Sequence, residues 1–377
     1  MKKSNIAFSI IFLLIIYFFF ISDVISEDTL FSIGENRNLE QKPTLTIEAL
    51  VNGTYMEKYE KYVTNQIFFR DEFISMSTNT KLLMGQKEIN NVYVLDDCLI
   101  EKFTEADIDK EALTTKNKLI KTFLSNHQNA HFSLIPTAAD IYSDKISKYA
   151  DNANQKELIE NIYKNIESEN TIDIYSDLAA HSAEDIYFKT DHHWTALGSY
   201  YGYLAICEEL GLTPVPLDNF TTEVIDDSFS GTIQSKINID FDLDTLYKYI
   251  PSNKMTHKLI LNEDYKNVSD DLYDESKLET KEKYAVYLGG NNAVTRIKTT
   301  GGIENKGKLL IIKDSFSHCL TPFLTNHYSE IVLLDLRYYM MGAEMFMRSE
   351  RGGFDDILIL YNIDNYLEDT FIEKLNK

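Results

Sequence analysis

Three short apolar runs near the end of the chain constrain its fold more than any other feature. Each run is rich in Leu, Ile and Val, each has the length of one strand, and a helical pattern follows each of them. The runs cover residues 308–312, 330–334 and 356–360, and the helical patterns lie from about Ser315, at about 340–347 and at about 366–375. Because strands buried on both faces are continuously apolar, this alternation predicts a parallel sheet with helices on both faces.

Polar residues stand directly after each of these runs. They are Asp314 and Ser315 after the first, Asp335 and Arg337 after the second, and Asn362 with Asp364 after the third. In an open parallel sheet, ligands bind beyond the carboxyl ends of the strands. The sequence therefore predicts that these side chains converge on one rim of the sheet and form a functional site.

The first 28 residues combine a basic start, an apolar run and an acidic end. Lys2 and Lys3 precede the run at residues 6–21, and Asp23, Glu27 and Asp28 follow it. This charge asymmetry predicts that the N-terminus lies inside the cell and the rest of the protein outside. The run is short for a membrane span and long for a signal peptide, and no small-x-small cleavage motif follows it. An uncleaved signal anchor over residues 1–28 is favoured, with a cleaved signal peptide as the alternative.

Two further changes in composition predict the domain organisation. Residues 29–55 are polar and mixed, which favours a tether between the anchor and one large α/β domain over residues 56–377. Within that domain, residues 213–306 hold three of the six prolines and many Asp and Asn. Short β-like runs occur there at 258–261, 284–288 and 294–297, so we interpret this stretch as a β-containing insertion or accessory layer.

Charge and cysteine usage exclude several classes of protein. The net charge of −22 argues against a nucleic-acid partner and against docking on an anionic membrane surface. A glycan partner is compatible with this charge. Cys98, Cys207 and Cys319 show no CxxC spacing and are odd in number, so we expect buried thiols rather than a disulfide framework or a zinc ribbon.

The stretch at residues 186–195 carries the clearest chemical signal. It contains two of the eight histidines, His192 and His193, and the only tryptophan, Trp194, and Asp191 stands two residues before His193. A carboxylate beside an imidazole can fix the tautomer of the ring and stabilise its protonated form, as acyl-transfer catalysis requires. The alternative is that Asp191 is the N-cap of the helix that follows, with the histidines merely nearby.

Several stretches together resemble the DHHW protein family, which in turn resembles the SGNH-hydrolase-like domain of the bacterial alginate O-acetyltransferases. The main one is Tyr187 to Thr195, followed by Gly198-Ser199-Tyr200-Tyr201. The others are Ile135-Pro136-Thr137 with Ile141-Tyr142, Phe229-Ser230-Gly231-Thr232, and Lys313-Asp314-Ser315-Phe316-Ser317. The resemblance implies an SGNH-like three-layer α/β/α fold, preceded here by the N-terminal membrane helix.

The resemblance also implies roles for single residues. Ser315 would be the nucleophile, His193 the general base and Asp191 its orienting carboxylate, with the Asn362 amide and the Ser315 N–H as oxyanion donors. Arg337, His192 and Trp194 would contact substrate. Each assignment has an alternative: Ser315 as a helix N-cap with Ser317 as nucleophile, Arg337 as the ion-pair partner of Asp335, and Asn362 as a cap of its strand end.

This sequence departs from the wider SGNH pattern in two ways. Lys313 occupies the place of the usual glycine in Gly-Asp-Ser, and no counterpart of the oxyanion glycine is evident, with Gly231 and Gly290 as candidates. A metal site is the mechanistic rival, with ligands from His181, Asp185, Asp191, His192 and His193. No HExxH spacing is present, so we expect neither a metal nor a cofactor.

The function expected from these features is O-acetyl transfer to a cell-surface polysaccharide by an extracytoplasmic, single-pass membrane protein of the cell envelope. The resemblance implies a membrane-bound acyltransferase partner that supplies the acetyl group. A carbohydrate O-acetylesterase and a non-catalytic polysaccharide-assembly or binding protein are the alternatives. The last of these predicts that Ser315 and His193 lie apart in the fold.

Overall fold

The computed structural model describes residues 3–32, 34–35, 37–148 and 150–377, and the chain in it divides into two units. One unit contains the chain up to Asn90 together with Gln234–Asp240, and the other contains Asn91–Ile233 and Phe241–Lys377. Elements up to residue 90 are α1 (Lys3–Ile25), β1 (Phe31–Ser32), β2 (Arg37–Asn38), α2 (Ile47–Val51), α3 (Thr54–Gln66), α4 (Arg70–Leu83) and β3 (Glu88–Ile89).

The N-terminal apolar helix expected from the sequence is present as α1. Among the described residues, α1 is the one helix long and apolar enough to cross a membrane, over Asn5–Ile25. Lys2, which carries part of the charge asymmetry, lies outside the described residues. The expected tether at residues 29–55 is not without structure, because β1 pairs with β2 and α2 follows them.

The larger unit begins with elements that lead into and flank the first strand of its sheet. They are β4 (Val92–Val94), β5 (Leu99–Glu101), α5 (Lys110–Asn126), β6 (Ala130–Ile135), α6 (Ala138–Ile141), α7 (Gln155–Ile166), β7 (Thr171–Ile172), α8 (Ile174–Ala180) and α9 (Ala196–Leu210). The insertion and the C-terminal part follow with β8 (Phe220–Phe229), α10 (Thr232–Ile237), β9 (Asp244–Pro251), β10 (Thr256–Leu261), β11 (Val268–Ser269), β12 (Val294–Thr300), β13 (Lys308–Lys313), α11 (Ser317–Leu324), β14 (Glu330–Leu334), α12 (Ala343–Ser349), β15 (Asp356–Asn362) and α13 (Ile363–Glu368).

An eight-stranded mixed sheet organises this unit. Its strand order is β11-β10-β12-β14-β13-β15-β6-β7, and the five strands from β14 to β7 are parallel. The three apolar runs predicted as strands are confirmed as β13, β14 and β15. Leu309 to Ile312 are fully buried, which explains why the sequence there does not alternate. Helices α5 and α7 pack against each other. Helices α8 and α11 both pack against α9.

The insertion differs from its sequence-based interpretation in two respects. Its strands β10 and β12 do not form a separate layer, because β12 pairs antiparallel with β14 and extends the main sheet. The predicted strand at 284–288 is wrong, since a 3-10 helix spans Lys283–Val286. Tyr284, Tyr287 and Leu288 are all buried. The backbone has φ of 58° at Leu288 and 73° at Gly289, and an extended strand cannot continue through such left-handed conformations.

The rim of the sheet brings the ends of β13 and β15 together. Ile312 pairs with Ile359 in parallel register, so Asp314 and Asn362 leave the sheet side by side. The Asn362 N–H donates to Asp314 Oδ2 at 2.7 Å, and the Asn365 amide donates to the same oxygen at 2.8 Å. These bonds fix the backbone just before Ser315.

Candidate active site

The loop that carries the two histidines is a narrow hairpin-like turn. Tyr187 and Trp194 form an isolated antiparallel bridge, and the Phe188 N–H donates to the His193 carbonyl at 3.2 Å. Helix α9 begins after Thr195, whose hydroxyl accepts from the Gly198 N–H at 3.1 Å. The reading of Asp191 as this helix N-cap is therefore wrong, because Thr195 occupies that position.

Asp191, His193 and Ser315 form a continuous hydrogen-bonded chain. His193 Nε2 lies 2.7 Å from Ser315 Oγ, and His193 Nδ1 lies 2.6 Å from Asp191 Oδ1. The other carboxylate oxygen of Asp191 accepts from the N–H and hydroxyl of Thr232 at 2.8 and 2.9 Å. All three side chains are buried, so the chain lies in a medium where such bonds are strong.

The electrostatics favour a neutral imidazole beside an ionised carboxylate. Burial lowers the pKa of His193 to about 4, with a further lowering from His192 that Asp191 opposes. Burial alone would raise the pKa of Asp191, but the two histidines and the hydrogen bonds from His193 and Thr232 hold it well below its ordinary value. With Asp191 charged and His193 neutral, Nδ1 carries the proton and Nε2 accepts from the Ser315 hydroxyl.

Ser315 lies in the turn between β13 and α11, and its hydroxyl does not cap that helix. The N-cap residue is Phe316, which makes no side-chain capping bond. The Ser317 hydroxyl donates to the Asp314 carbonyl at 3.0 Å, and its side chain is fully buried. The hydroxyl facing the imidazole is thus that of Ser315, and Ser317 does not reach it.

Lys313 and its neighbours form a buried charged network beneath the turn. Lys313 Nζ donates to Asp335 Oδ2 at 3.0 Å and contacts His318 Nε2 at 2.8 Å. Arg337 binds both oxygens of Asp335, at 2.9 and 2.7 Å. Burial lowers the pKa of His318 far below its ordinary value, so its neutral ring accepts from Lys313. Lys313 therefore links the end of β13 to Asp335 and to His318 of α11.

His192 and Arg337 lie next to the hydrogen-bonded chain of Asp191, His193 and Ser315 but are not part of it. His192 Nδ1 lies 2.8 Å from the Thr232 hydroxyl, its ring centroid lies 4.0 Å from that of His193, and about a third of the side chain is exposed. Arg337 is about a quarter exposed and engages Asp335 in the paired arrangement that was its alternative reading. Both side chains remain accessible to a ligand at the rim.

Trp194 and Asn362 do not occupy the positions expected of substrate or oxyanion contacts. Trp194 is fully buried, and its Nε1–H donates to the Phe316 carbonyl at 2.9 Å, so no sugar ring can stack on it. The Asn362 amide donates to the carbonyls of Ile135 and Pro136, and its oxygen accepts from the Asp364 N–H. That amide ties two strand ends together and caps α13, so it is not an oxyanion donor in this arrangement.

Three further residues complete the centre: Tyr284 and Thr232, to which the sequence assigned no role, and Gly231, which was a candidate for the oxyanion glycine. Tyr284 stacks on the imidazole of His193, with ring centroids 3.8 Å apart. Thr232 holds Asp191. Gly231 lies so close that an added Cβ would stand 2.3 Å from the Cβ of Asp191. The Gly231 N–H donates to the Thr190 hydroxyl at 2.9 Å, so it is not the missing oxyanion donor. The stretch Phe229 to Thr232 was a usable signal, since the resemblance includes it.

Asp191, His192 and His193 also form the one metal-ligand cluster found among the described residues. The potential ligand atoms of Asp191 and His193 already have hydrogen-bond partners. The two oxygens of Asp191 serve His193 and Thr232, and Nε2 of His193 serves Ser315. A cation could bind here only by displacing these bonds, so the donor set fits a proton-transfer chain better than a metal centre. His181 and Asp185 do not belong to this cluster.

Several solved structures are similar to this chain. A DHHW family protein from Eubacterium siraeum superposes with a TM-score of 0.62 at 24% identity, over 76% of this chain and 96% of that one. PatB1 of Bacillus cereus, solved with a sulfonyl adduct, gives 0.59 at 20% identity, over 75% and 98%. The O-acetyltransferase domain of AlgJ from Pseudomonas putida gives 0.41 at 11% identity, over 73% and 91%.

No curated protein sequence matches this chain. The model of the DHHW protein family matches residues 75–334, which is more than half of the chain and includes Asp191, His193 and Ser315. The chain therefore belongs to the DHHW protein family.

Proposed function

We propose that this protein is an extracytoplasmic O-acetyltransferase with an SGNH-like three-layer fold, acting on a cell-surface polysaccharide through Ser315, His193 and Asp191. The observation that carries the proposal is the 2.7 Å contact between His193 Nε2 and Ser315 Oγ, with Asp191 behind the ring. These residues are 122 positions apart in sequence. A purely binding protein has no need of this arrangement, so the contact favours catalysis over the non-catalytic alternative.

In the first half of the reaction, Ser315 Oγ attacks the carbonyl carbon of an acetyl ester while its proton passes to His193 Nε2. Asp191 stabilises the imidazolium that forms. The backbone N–H of Ser315, at the start of α11, is the donor that we assign to the tetrahedral oxyanion. When the intermediate collapses, the leaving alcohol takes the proton from His193, and acetyl-Ser315 remains.

In the second half, a sugar hydroxyl gives its proton to His193 and attacks the acetyl-serine. His193 returns that proton to Ser315 Oγ as the ester bond to Ser315 breaks, and the products are the acetylated sugar and free Ser315. If water takes the place of the sugar, the same residues make the protein an acetylesterase. A small cavity beside His192, lined also by Thr137, Asp364 and Asn365, offers hydrogen-bonding groups for an acceptor hydroxyl.

The nucleophile can be tested without knowing the substrate. PatB1 was solved with a sulfonyl adduct, and we expect phenylmethylsulfonyl fluoride to sulfonylate Ser315 of this protein. Peptide mass spectrometry should find the adduct on the peptide that contains Ser315. Ser315→Ala should abolish it and His193→Ala should slow it about a hundredfold or more, whereas Ser317→Ala, the matched control, should label at the wild-type rate. Labelling of Ser317 at an unchanged rate in Ser315→Ala would refute the assignment.

The reaction itself is tested with an activated acetyl ester and a glycan acceptor. Ser315→Ala or His193→Ala should lower turnover about a thousandfold or more, and His192→Ala should lower it far less. Acetylated glycan detected by mass spectrometry supports transfer. Steady release of acetate, with no acetylated glycan at saturating acceptor, makes the protein an esterase. Loss of activity on chelation that zinc restores would favour the metal alternative.

The proposal includes a place and a partner. The α1 helix would anchor the protein with its catalytic unit outside the cytoplasm, and a membrane-bound acyltransferase would deliver the acetyl group. A reporter fused after Lys377 should be active only outside the cytoplasm, and cytoplasmic activity of the reporter would overturn this topology.

A further inference from the structure

The turn between α3 and α4 exposes a group of apolar side chains, which we call the aromatic tip: Ile67, Phe68, Phe69 and Phe73. Ile67, Phe69 and Phe73 are each about 40% exposed or more. Phe69 is the N-cap of α4, with φ of 61° and no side-chain capping bond. N-caps are usually Ser, Thr, Asp or Asn, and a bulky residue at positive φ is uncommon. An exposed aromatic N-cap of this kind is unusual for a turn whose only neighbour is water.

The aromatic tip lies against α1, within the same unit. Phe68 packs edge to face on Phe18, with ring centroids 6.5 Å apart, and Phe73 packs on Phe19 at 5.5 Å. Both contacts involve the last two turns of α1. Most other side chains of these turns are exposed.

Hydrogen bonds fix the height of the tip relative to α1. The Gln66 side chain accepts from the Thr29 N–H at 2.9 Å and donates to the Thr29 carbonyl at 3.0 Å. Tyr62 donates to the carboxylate of Asp28 at 3.0 Å. The end of α3 is thus level with the polar residues that follow α1, and the tip extends from there back along the apolar helix.

The depth of the tip follows from helix geometry. The apolar span Asn5–Ile25 has 21 residues, which at about 1.5 Å per residue matches the roughly 30 Å hydrocarbon core of a bilayer. The uncharged apolar run within this span ends at Ile21, before Asp23, so Phe18 stands three residues or about 4.5 Å inside the end of the run. A ring packed on Phe18 therefore lies just inside the boundary of the lipid tails.

We propose that the aromatic tip inserts among the lipid acyl chains beside α1, in the leaflet that contains Ile25. The protein would then contact the lipid through both α1 and the tip. Charge argues for lipid tails over anionic headgroups as the occupant. Arg70 next to the tip is already paired with Glu35 and Asp71. Glu72 adds a further acid, so among the described residues next to the tip there is no free basic patch that would attract anionic lipid.

The test uses the full chain reconstituted in phosphatidylcholine vesicles, with an NBD fluorophore on Ile67→Cys. Cys98, Cys207 and Cys319 are buried, so the unsubstituted chain measures background labelling. Glu57→Cys, about 15 Å further along α3, is the aqueous control, and Ile15→Cys in α1 is the lipid control. Quenchers are doxyl groups on the lipid tails and iodide in the buffer.

The probe at Ile67 should be quenched severalfold more by tail doxyl than by iodide, as at Ile15, and the probe at Glu57 should show the reverse. Quenching at Ile67 by iodide alone, with Ile15 still in the tails, overturns insertion of the tip. Protection at Ile67 from both quenchers also overturns it, since a second protein copy would then cover the tip. If Ile15 itself meets iodide, α1 does not span the bilayer and the proposal fails with its anchor. None of these outcomes depends on the catalytic proposal.

Discussion

The imidazole of His193 lies flat against the phenol ring of Tyr284, with ring centroids 3.8 Å apart and planes inclined by 13°. The Tyr284 hydroxyl reaches the Ser315 carbonyl at 3.3 Å and the thiol of Cys319 at 3.2 Å. One side chain of the insertion therefore contacts both the imidazole and the backbone of the residue that faces it. The ring blocks rotation of the imidazole and offers its electron-rich face to the imidazolium.

Removing the ring of Tyr284 should lower the rate without weakening substrate binding. We expect Tyr284→Leu to reduce kcat about tenfold or more with KM within about twofold, because the imidazole loses its support. Tyr284→Phe keeps the stack and should remain within about threefold of wild type. Steady-state kinetics measure both, with the exposed Tyr265→Leu as a control from the same insertion. A Leu variant with the wild-type kcat would show that the stack does not position His193.

The pH dependence of kcat/KM should reflect the unusually low pKa of His193. The imidazole acts as a base only when neutral, so activity is retained above its pKa and lost as pH falls through it. Because burial lowers that pKa to about 4, kcat/KM should stay level from pH 7 to about 5 and halve near pH 4. An ordinary histidine would give a midpoint near 6.5. A midpoint near 6.5, with the fold intact by circular dichroism, would contradict the buried neutral ring.

The same shift has a consequence for stability. Between pH 6.5 and about 4, the unfolded chain protonates His193 and the folded chain does not, so the free energy of unfolding falls on acidification. Denaturant titrations of wild type and His193→Gln at pH 7 and pH 5 should show a smaller loss for the variant. An equal loss in both proteins would mean that other groups control acid stability in this range.

Gly231 should not tolerate a methyl group. In Gly231→Ala, the new Cβ would stand 2.3 Å from the Cβ of Asp191 and 2.6 Å from the Thr190 carbonyl. We expect a displaced Asp191, at least a tenfold loss of kcat, and about 1–3 kcal/mol of destabilisation from overpacking. Thr232→Val is the matched comparison, because it removes one hydroxyl bond to Asp191 and keeps the neighbouring glycine. Full activity in Gly231→Ala would show that this backbone can shift freely.

Trp194 should contribute to stability and not to glycan binding. In Trp194→Phe, the buried indole is lost and the Phe316 carbonyl loses its donor, so we expect about 1–3 kcal/mol of destabilisation. KM for the glycan should be unchanged, as thermal unfolding and kinetics at a permissive temperature will show. A large rise in KM with unchanged stability would restore Trp194 as a sugar platform.

The strands were predictable because strands buried on both faces have continuously apolar sequences. The bounds of β13, β14 and β15 lie close to those of the three apolar runs. Asp191 and His193 were selected by their close spacing, Ser315 by its place after a predicted strand, and all three by the family resemblance. The structure brings them together. Tyr284 was not predicted, since its stretch had the composition of a strand and only tertiary packing winds it into a 3-10 turn. Trp194 was predicted to contact substrate because it follows His193 in the sequence. The structure places it in the core. Adjacency in sequence does not indicate which side of the turn faces the core.

The strand order has a consequence for how such a chain reaches its folded state. β15 is the last strand along the chain, yet it lies between β13 and β6, and β6 pairs with it from more than 220 residues earlier. Pairings across such distances form slowly. The middle of the sheet stays open until residues 356–362 have been synthesised. A chain that crosses a membrane during its synthesis would therefore keep the sheet open, and the rim beside β13 and β15 unformed, until residues 356–362 have followed.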